Sequence, residues 1–284
     1  MKIPSFVFFG TDEFSLKVLQ TLAERNLKPS ILVTTPDKPQ GRKNKMKSSL
    51  TKVWAQENKI EIIQPSSLKD PLFFEKLKNI PCDFFLVASY GKIIPKIILD
   101  IPPFGTLNIH PSLLPKYRGP SPLESVILNG EKETGVSLMI VDEEMDHGPI
   151  LSSKKIPLQD NYTFERLRDE LAILGAELLV ETLPIHFAGN LKPKIQNHLE
   201  ATYTKKLAKD DGLLDLKKPA IINYRKILAL NPWPGVYFID NHAGHEIRVA
   251  VKKATLKNDE LIFERVLPEG RKEMNWVDYQ RGRR

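Results

Sequence analysis

The sequence predicts an α/β protein with an N-terminal open, mostly parallel sheet that has helices on both faces, followed by a small C-terminal β-rich domain. In the first part of the chain, short apolar strand-like segments alternate with amphipathic helical segments, a pattern typical of parallel sheets. Near residue 190 the segments become short and rich in turns. The length of 284 residues also fits one large domain plus a small one.

Strands of the first domain are predicted where β-branched and aromatic residues form short runs. Helices are predicted where apolar residues recur at helical spacing, and Asp12 is the expected N-cap of the first one. The predicted strands are Ile3–Phe9, Ile31–Thr35, Asp83–Ser89, Thr106–Ile109 and Gly135–Val141, and the predicted helices are the one after Asp12, Leu50–Asn58 and Thr163–Ala188.

The change of character near residue 190 sets the predicted domain boundaries. Gly189–Lys194 has the composition of a surface linker. We therefore predict a first domain at 1–189, a linker at 190–204 and a C-terminal domain at 205–284. The C-terminal domain is predicted to contain the helix Pro219–Ala229 and the strand-like pieces Val236–Ile239, Asn241–Gly244, Glu246–Ala254 and Leu261–Val266.

The composition is that of a folded protein, with 41% hydrophobic and 27% charged residues. No apolar stretch is long enough to span a bilayer, and the apolar run at the N-terminus is too short for a signal peptide. Cys82 is the only cysteine, so no internal disulfide is possible. We expect a cytoplasmic protein without membrane contact, and a monomer because no heptad pattern or long apolar edge appears.

Two polar residues stand where the strand Thr106–Ile109 is predicted to end. Alternation along the strand places Asn108 and His110 on one side and Ile109 on the other. Histidine transfers protons near neutral pH, and asparagine donates a hydrogen bond to a developing oxyanion. A histidine or asparagine after a strand more often has a structural role. The hypothesis that this pair is catalytic therefore depends on the neighbouring segments.

Two loops provide those surroundings. Ser112–Pro122 is rich in proline, and its stiffness suits the wall of a preformed pocket. Asp142–Gly148 contains four acids, and Gly148 permits a tight turn beside Asp146. A carboxylate at Asp146 would orient His110. The other acids of this loop are expected to be solvated.

The run from Asn108 to Gly119, followed by Asp146-His147-Gly148, resembles the signature of the 10-formyltetrahydrofolate-dependent formyltransferases. Further segments resemble the methionyl-tRNA formyltransferases within that superfamily. These segments are Phe8–Thr11 with Phe14, Ser89–Pro95, Ala201–Tyr203, Asp211-Gly212 and Asn231–Gly235. The resemblance covers nearly the whole chain and implies a Rossmann-like formyltransferase fold with an OB-like C-terminal domain.

The resemblance also implies roles for individual residues. Asn108 and His110 would stabilise the tetrahedral oxyanion formed when an amine attacks the formyl group, and Asp146 would hold His110 and relay a proton. The donor would be 10-formyltetrahydrofolate. Its implied binding segments contain Ser89, Tyr90, Gly91, Ile93, Ser112, Leu113, Leu114, Pro115, Asp142 and Met145.

A basic run after the second predicted strand bears on the identity of the acceptor. It has no acid from Lys38 to Lys52, and such an unbalanced loop suits contact with phosphates. The resemblance implies methionyl-tRNA as the acceptor, bound by Lys38, Arg42, Lys43, Lys45 and Lys47. The C-terminal domain carries further basic residues. It is shorter than usual in the family that the chain resembles, which would mean either a weaker hold on tRNA or loops shorter than usual. Taken alone, a charge run is usually a solvated loop.

Three other functions share parts of this pattern. A formyltransferase acting on a nucleotide-linked amino sugar would use the same catalytic residues without the basic run. A hydrolase of formyl-folate would use water as acceptor. An RNA-binding protein without catalysis would need none of Asn108, His110 and Asp146. We predict no metal, because the remaining histidines lack metal-ligand spacing, and no nucleotide cofactor, because Gly10 has no glycine fingerprint around it.

Overall fold

The computed structural model describes residues 4–40, 45–242 and 244–282, with the backbone alone at Gln40, Lys45 and His242. Contacts divide the chain into two compact units. The first is built from Met1–Pro120, Thr134–Ile156 and Arg168–Tyr203, and the second from Ser121–Glu133, Pro157–Leu167 and Thr204–Arg284. The domain boundaries derived from the sequence stay a prediction.

The described residues form thirteen strands, most of which belong to two sheets. In chain order they are β1 (Phe6–Phe9), β2 (Ile31–Val33), β3 (Lys38–Gln40), β4 (Lys45–Lys47), β5 (Glu61–Ile63), β6 (Phe84–Val87), β7 (Thr106–His110), β8 (Glu133–Ile140), β9 (Ile150–Pro157), β10 (Val236–His242), β11 (His245–Lys257), β12 (Glu260–Pro268) and β13 (Met274–Asn275). The predicted strands of the first domain are all present, although most are shorter at their ends.

The α-helices number eight over the same residues. They are α1 (Glu13–Glu24), α2 (Leu50–Glu57), α3 (Pro71–Lys78), α4 (Lys96–Leu99), α5 (Pro122–Asn129), α6 (Phe164–Phe187), α7 (Ala220–Leu230) and α8 (Trp276–Arg281). Asp12 caps α1 as predicted, since its carboxylate accepts a hydrogen bond from the backbone N–H of Ser15 at 3.0 Å. Within the described part of the chain, none of these helices has the length and apolarity that crossing a membrane requires.

The first unit contains a seven-stranded sheet in the order β5-β2-β1-β6-β7-β8-β9. The pairings from β5 to β7 are parallel, and β7 pairs antiparallel with β8. Helices cover both faces. Val7 and Phe85 pack with residues of α3 and α4, whereas the ring of Phe84 lies 5.7 Å from that of Phe187 in α6. The predicted open, mostly parallel sheet is confirmed.

The strand order places a topological switch point between β1 and β6. From β1 the chain continues to β2 and β5 on one side, then crosses to β6 and β7 on the other. Open α/β sheets bind ligands at the carboxyl ends of the strands beside such a point. The residues that follow β1 and β6 here are Gly10–Asp12 and Ala88–Gly91, so the sheet directs a binding site to this edge.

The second unit contains the antiparallel sheet β10-β11-β12-β13. Phe238 and Phe263 stack with ring centroids 5.4 Å apart, and Trp276 packs edge-on against both rings. The buried hydroxyl of Tyr279 donates to the Asp240 carboxylate at 2.6 Å. The predicted C-terminal β-rich module is therefore a four-stranded antiparallel sheet with aromatic packing beneath it.

Candidate active site

The strand β7 presents Asn108 and His110 on one face of the first unit's sheet. Asn108 is in register with Val87 of β6, which is in register with Phe9 of β1. Side chains of one register row lie on the same face of a parallel sheet. Ile109 points the other way, because its side chain closely approaches Gly175 of α6.

Asp146 joins these two side chains. Its Oδ1 lies 3.5 Å from the amide Nδ2 of Asn108 and 3.5 Å from the ring Nδ1 of His110. The side chains of His110 and Asp146 are 6% and 15% exposed, so the cluster is largely shielded from water. The structure thus brings together all three residues predicted to be catalytic, and their chemical roles stay a prediction.

The imidazole of His110 is held on both sides. Its Nε2 lies 3.0 Å from the backbone carbonyl oxygen of Tyr117, and its Nδ1 faces Asp146. Both ring nitrogens therefore point at oxygen atoms that accept hydrogen bonds. This arrangement fixes the plane of the ring and aligns it with the carboxylate.

The backbone around Asp146 adopts an unusual conformation. Asp146 has a φ of 53°, in the left-handed region that side chains other than glycine rarely adopt. Its Oδ2 accepts the backbone N–H of Gly119 at 2.7 Å. A β-carbon at Gly148 would lie 2.0 Å from the carbonyl oxygen of Ile140, so the loop can return to the sheet only with glycine there.

The proline-rich loop after β7 is fastened by two buried serines. The Ser112 hydroxyl donates to the carbonyl of Lys116 at 2.7 Å. The Ser137 hydroxyl donates to the carbonyl of Ser112 at 2.8 Å and accepts the N–H of Leu114 at 3.1 Å. Ser112 and Leu114 are both buried, so any folate contact of this segment must come from its backbone or from the partly exposed Leu113 and Pro115.

The segment after β6 lies at the switch point of the sheet. Ser89 has a φ of 48°, and its hydroxyl is hydrogen-bonded to the Asp12 carboxylate. Tyr90 is buried, and burial raises the pKa of its phenol to about 12. Its hydroxyl has no hydrogen-bond partner among the described residues. Gly91 has a φ of 76°, and Ile93 is 75% exposed. This segment therefore offers backbone groups and one apolar side chain to a ligand.

A cavity of about 250 Å³ lies beside the acidic loop. Its lining includes Asp142, Glu143 and Glu144 of that loop together with Lys96, Leu99, Asp100 and Val141. Met145, next in the chain, is 54% exposed. Ligand pockets usually span about 300 to 1,000 Å³, so this cavity suits one ring system of a larger ligand. Its carboxylates are acceptors for a ligand that carries N–H donors.

Two residues around the site were given no role from the sequence. Gln196 lies in the segment assigned to the linker, yet its amide reaches the backbone carbonyls of Asp146 and Gly148. Arg118, within the quoted motif, is 1% exposed and bonds to Gln196. An arginine inside a polar loop gives no sign of burial, so this contact across 78 positions had no signal in the sequence. No cluster of three metal-ligating side chains exists among residues 4–40, 45–242 and 244–282.

The basic run after β2 forms a two-stranded antiparallel hairpin, β3 and β4, where the sequence predicted a loop. Strands can pair through backbone hydrogen bonds without an alternating apolar pattern. The sequence of this basic run therefore did not indicate strands. Lys38 and Lys47 are exposed and directly opposite each other, and like charges in that position repel. Arg42 and Lys43 lie outside the described residues, as does the side chain of Lys45.

One carboxylate ties both ends of this hairpin to the sheet. Asp37 accepts hydrogen bonds from the ammonium of Lys52 at 2.7 Å, the amide of Gln64 at 2.8 Å and the hydroxyl of Ser48 at 3.1 Å. Lys52, which the sequence counted with the basic run, is therefore paired with an acid. Lys38 and Lys47, at exposed positions of the hairpin, take no part in this clamp.

The Asp37 clamp is expected to weaken in acid. The hydrogen bond from Lys52, followed by that from Gln64, holds the pKa of the Asp37 carboxyl below its usual value. Stability from a lowered pKa is complete above the unfolded value of about 3.9 and disappears as pH falls through the folded one. The free energy of unfolding should therefore differ between wild type and Asp37→Asn near neutral pH and converge in acid. A difference that persisted at the lowest pH would contradict this.

Comparison with known sequences gives this site its context. A profile described as formyl transferase matches residues 1–183, and one described as formyl transferase, C-terminal domain, matches residues 206–262. A methionyl-tRNA formyltransferase from Thermodesulfovibrio yellowstonii is 37% identical, over 98% of this chain and 96% of its own length. The chain belongs to the methionyl-tRNA formyltransferase family.

Solved structures share the fold of this family member. A methionyl-tRNA formyltransferase from Clostridium thermocellum aligns with a TM-score of 0.62 and 21% identity, over 93% of this chain and 98% of that one. A sugar 3N-formyl transferase, WlaRD, crystallised with dTDP and 5-N-formyl-THF, aligns with a TM-score of 0.65 and 20% identity, over 94% and 93%. The fold is thus common to formyltransferases with different acceptors, and the family membership follows from the sequence relative.

Proposed function

We propose that this enzyme transfers the formyl group of 10-formyltetrahydrofolate to the α-amino group of methionyl-tRNA, for translation initiation. The observation that carries the proposal is the convergence of Asn108 and His110 on one oxygen of Asp146 at the carboxyl edge of the sheet. That trio supplies an oxyanion donor, a proton carrier and an acceptor in one place. The proposal includes a monomeric, cytoplasmic enzyme with a catalytic domain at 1–189, a linker at 190–204 and a C-terminal domain at 205–284.

The residues act together on the attacking amine and the formyl carbon. The donor supplies a formyl group bonded to nitrogen. A new C–N bond forms as the amine adds to the formyl carbon, which gives a tetrahedral oxyanion. The old C–N bond breaks when this oxyanion collapses, and the proton that the amine loses is returned to the departing nitrogen. Asn108 donates its amide N–H to the formyl oxygen as charge develops, His110 supports the same charge, and Asp146 receives the amine proton directly or through water.

The described residues fit a folate. The segments Ser89–Ile93 and Ser112–Pro115 follow the parallel strands β6 and β7 at the carboxyl edge of the sheet. Asp142–Met145 follows the antiparallel strand β8, and the loop that it begins brings Asp146 to Asn108 and His110. A pterin carries an amino group and ring N–H donors, and the carboxylates that line the 250 Å³ cavity accept such bonds. We propose that this cavity receives the pterin, that Ser89, Tyr90 and Gly91 contact it through their backbone, and that Ile93 and Met145 cover it.

The hairpin β3–β4 supports tRNA as the acceptor, because a polyanion relieves the repulsion between Lys38 and Lys47. Removing one phosphate contact reduces the salt slope of binding by about 1. We therefore expect Lys47→Ala to flatten the dependence of log KM for methionyl-tRNA on log salt by about that amount, with kcat unchanged. Lys28→Ala is the matched control, since this exposed lysine precedes β2 at the opposite edge of the sheet. Equal slopes for both variants would remove the hairpin from the tRNA interface.

The proposed function is tested by supplying 10-formyltetrahydrofolate with one acceptor at a time. The acceptors are methionine-charged initiator tRNA, uncharged tRNA, a nucleotide-linked amino sugar and water alone. Formylation of the charged tRNA only is the expected result. Formylation of the sugar only would keep the catalytic trio and overturn the acceptor. Release of formate without an amine would identify a hydrolase, and RNA binding without turnover would overturn catalysis itself.

A further inference from the structure

The guanidinium of Arg118 lies beneath the loop that carries Asp146, fully buried in the first unit. Its Nε and Nη2 donate to Oε1 of Gln196 at 3.1 and 2.7 Å. Its Nη1 donates to the hydroxyl of Tyr203 at 3.1 Å, and its Nη2 lies 2.9 Å from Nδ1 of His198. Burying a guanidinium is unfavourable unless its donors are satisfied, and these contacts account for four of its five N–H groups.

The carboxamide of Gln196 connects this guanidinium to the catalytic loop. Gln196 is 4% exposed, and its Nε2 donates to the carbonyl of Asp146 at 2.9 Å and to that of Gly148 at 2.7 Å. Guanidinium groups only donate, so the amide oxygen must face Arg118 and the amide nitrogen must face the two carbonyls. The orientation of Gln196 is therefore set by Arg118.

The segment Arg118–Gly119 also holds the carboxylate of Asp146. The backbone N–H of Gly119, next to Arg118, donates to Oδ2 of Asp146 at 2.7 Å. The segment is itself anchored, because the N–H of Arg118 donates to the carbonyl of Thr202 at 2.9 Å. Asp146 is thus held at its side chain by Gly119 and at its backbone by Arg118 through Gln196. This double hold maintains a φ of 53° that an aspartate rarely adopts.

We propose that Arg118 and Gln196 are positioning residues for the transfer reaction, which act through the Asp146 backbone to place its carboxylate against Asn108 and His110. The inference rests on the proposed function in assuming that Asp146 takes part in the reaction. It adds two residues that touch neither substrate nor the reacting atoms. Neither the charge of Arg118 nor the amide of Gln196 is needed for chemistry in itself; both are needed for geometry.

The substitution Gln196→Glu removes the contacts of Gln196 with the catalytic loop but keeps its contact with Arg118. One carboxylate oxygen still accepts from Arg118, so the buried guanidinium keeps its partner. The other oxygen replaces the amide donor and faces two carbonyl oxygens, which repels the catalytic loop. A displacement of about 1 Å lowers turnover about 10²-fold, so we expect that loss in kcat. Gln56→Glu, the same change on an exposed helix position, is the control and should retain wild-type kcat.

The test combines Gln196→Glu with Asp146→Asn in a double-mutant cycle, with thermal unfolding of every variant. If Gln196 acts through the Asp146 carboxylate, its substitution should lower kcat about 10²-fold in wild type and less than about threefold in Asp146→Asn. A merely structural role would lower kcat by the same factor in both backgrounds and overturn the inference, as would an unchanged kcat. If Gln196→Glu does not fold, Arg118→Lys takes its place in the cycle. Lysine keeps the positive charge but lacks the paired N–H donors of the guanidinium, which orient Gln196.

The outcome is independent of the acceptor. Should the wild type fail to formylate methionyl-tRNA, the proposed function fails, and the cycle is run with the acceptor that the wild type does formylate. If Gln196→Glu then lowers kcat by the same factor with and without Asp146→Asn, the positioning role is overturned independently of the proposed function.

Discussion

His110→Ala is expected to lower kcat by about 10² to 10⁴, the range of positioned acid–base residues. The ring lies between the Asp146 carboxylate and the Tyr117 carbonyl, and alanine removes its contacts with both oxygens. Single-turnover formylation would separate this chemical loss from changes in binding. His186→Ala is a matched control, because that ring also bonds to a backbone carbonyl, that of Phe104 at 3.1 Å, away from the site.

The result depends on an intact fold, which must be measured beside the rate. Removing a buried imidazole leaves a cavity, so some decrease in the melting temperature is expected. His110→Gln retains a side-chain donor in reach of Tyr117 and serves as a second variant with a fuller core. A folded His110→Ala enzyme with near wild-type turnover would remove His110 from the mechanism.

Asn108→Ala is expected to lower kcat about 10²- to 10³-fold, the effect of losing one oxyanion donor. Asn108→Asp provides a sharper comparison. It has nearly the same shape, but it replaces the amide donor with a carboxylate whose oxygen would sit about 3.5 Å from Oδ1 of Asp146. Negative charge there opposes both the Asp146 carboxylate and the developing oxyanion. We therefore expect the aspartate variant to be slower than the alanine variant.

The comparison of these two variants distinguishes two roles for Asn108. If its amide donates to the oxyanion, both substitutions lower kcat, and KM for methionyl-tRNA changes little. If Asn108 only anchors Asp146, the alanine variant should retain substantial activity, and the loss should follow the thermal stability of the loop. Equal and mild effects in both variants would exclude the oxyanion role.

The sequence predicted those elements whose local pattern agrees with their surroundings. Phe6–Phe9 and Phe84–Val87 are buried on both faces, and their continuous apolar runs indicated strands. Two strands of the seven-stranded sheet were missed. Glu61–Ile63 is only three residues long, and Ile150–Pro157 lies at the sheet edge with a half-exposed pattern. Such strands are held by backbone pairing with neighbours, which leaves little signal in their own residues.

The candidate site shows the same division. Alternation in β7 was enough to place Asn108 beside His110, and the signature pointed to Asp146. The residues that hold this trio in place could not be predicted from the sequence, because their role depends on contacts between distant parts of the chain. Gln196 lies 50 positions from Asp146 and within a segment that reads as a linker. A polar residue in a turn-rich stretch gives no local sign that its amide is buried.

Position 148 illustrates how a site depends on a residue that takes no part in chemistry. With the carbonyl oxygen of Ile140 only 2.0 Å from where a β-carbon would stand, even alanine must separate the loop from the sheet. Across evolutionary time, position 148 should therefore be as invariant as Asp146. A glycine at this position would therefore identify the catalytic loop in the sequences of distant relatives, even where the acidic residues around it differ.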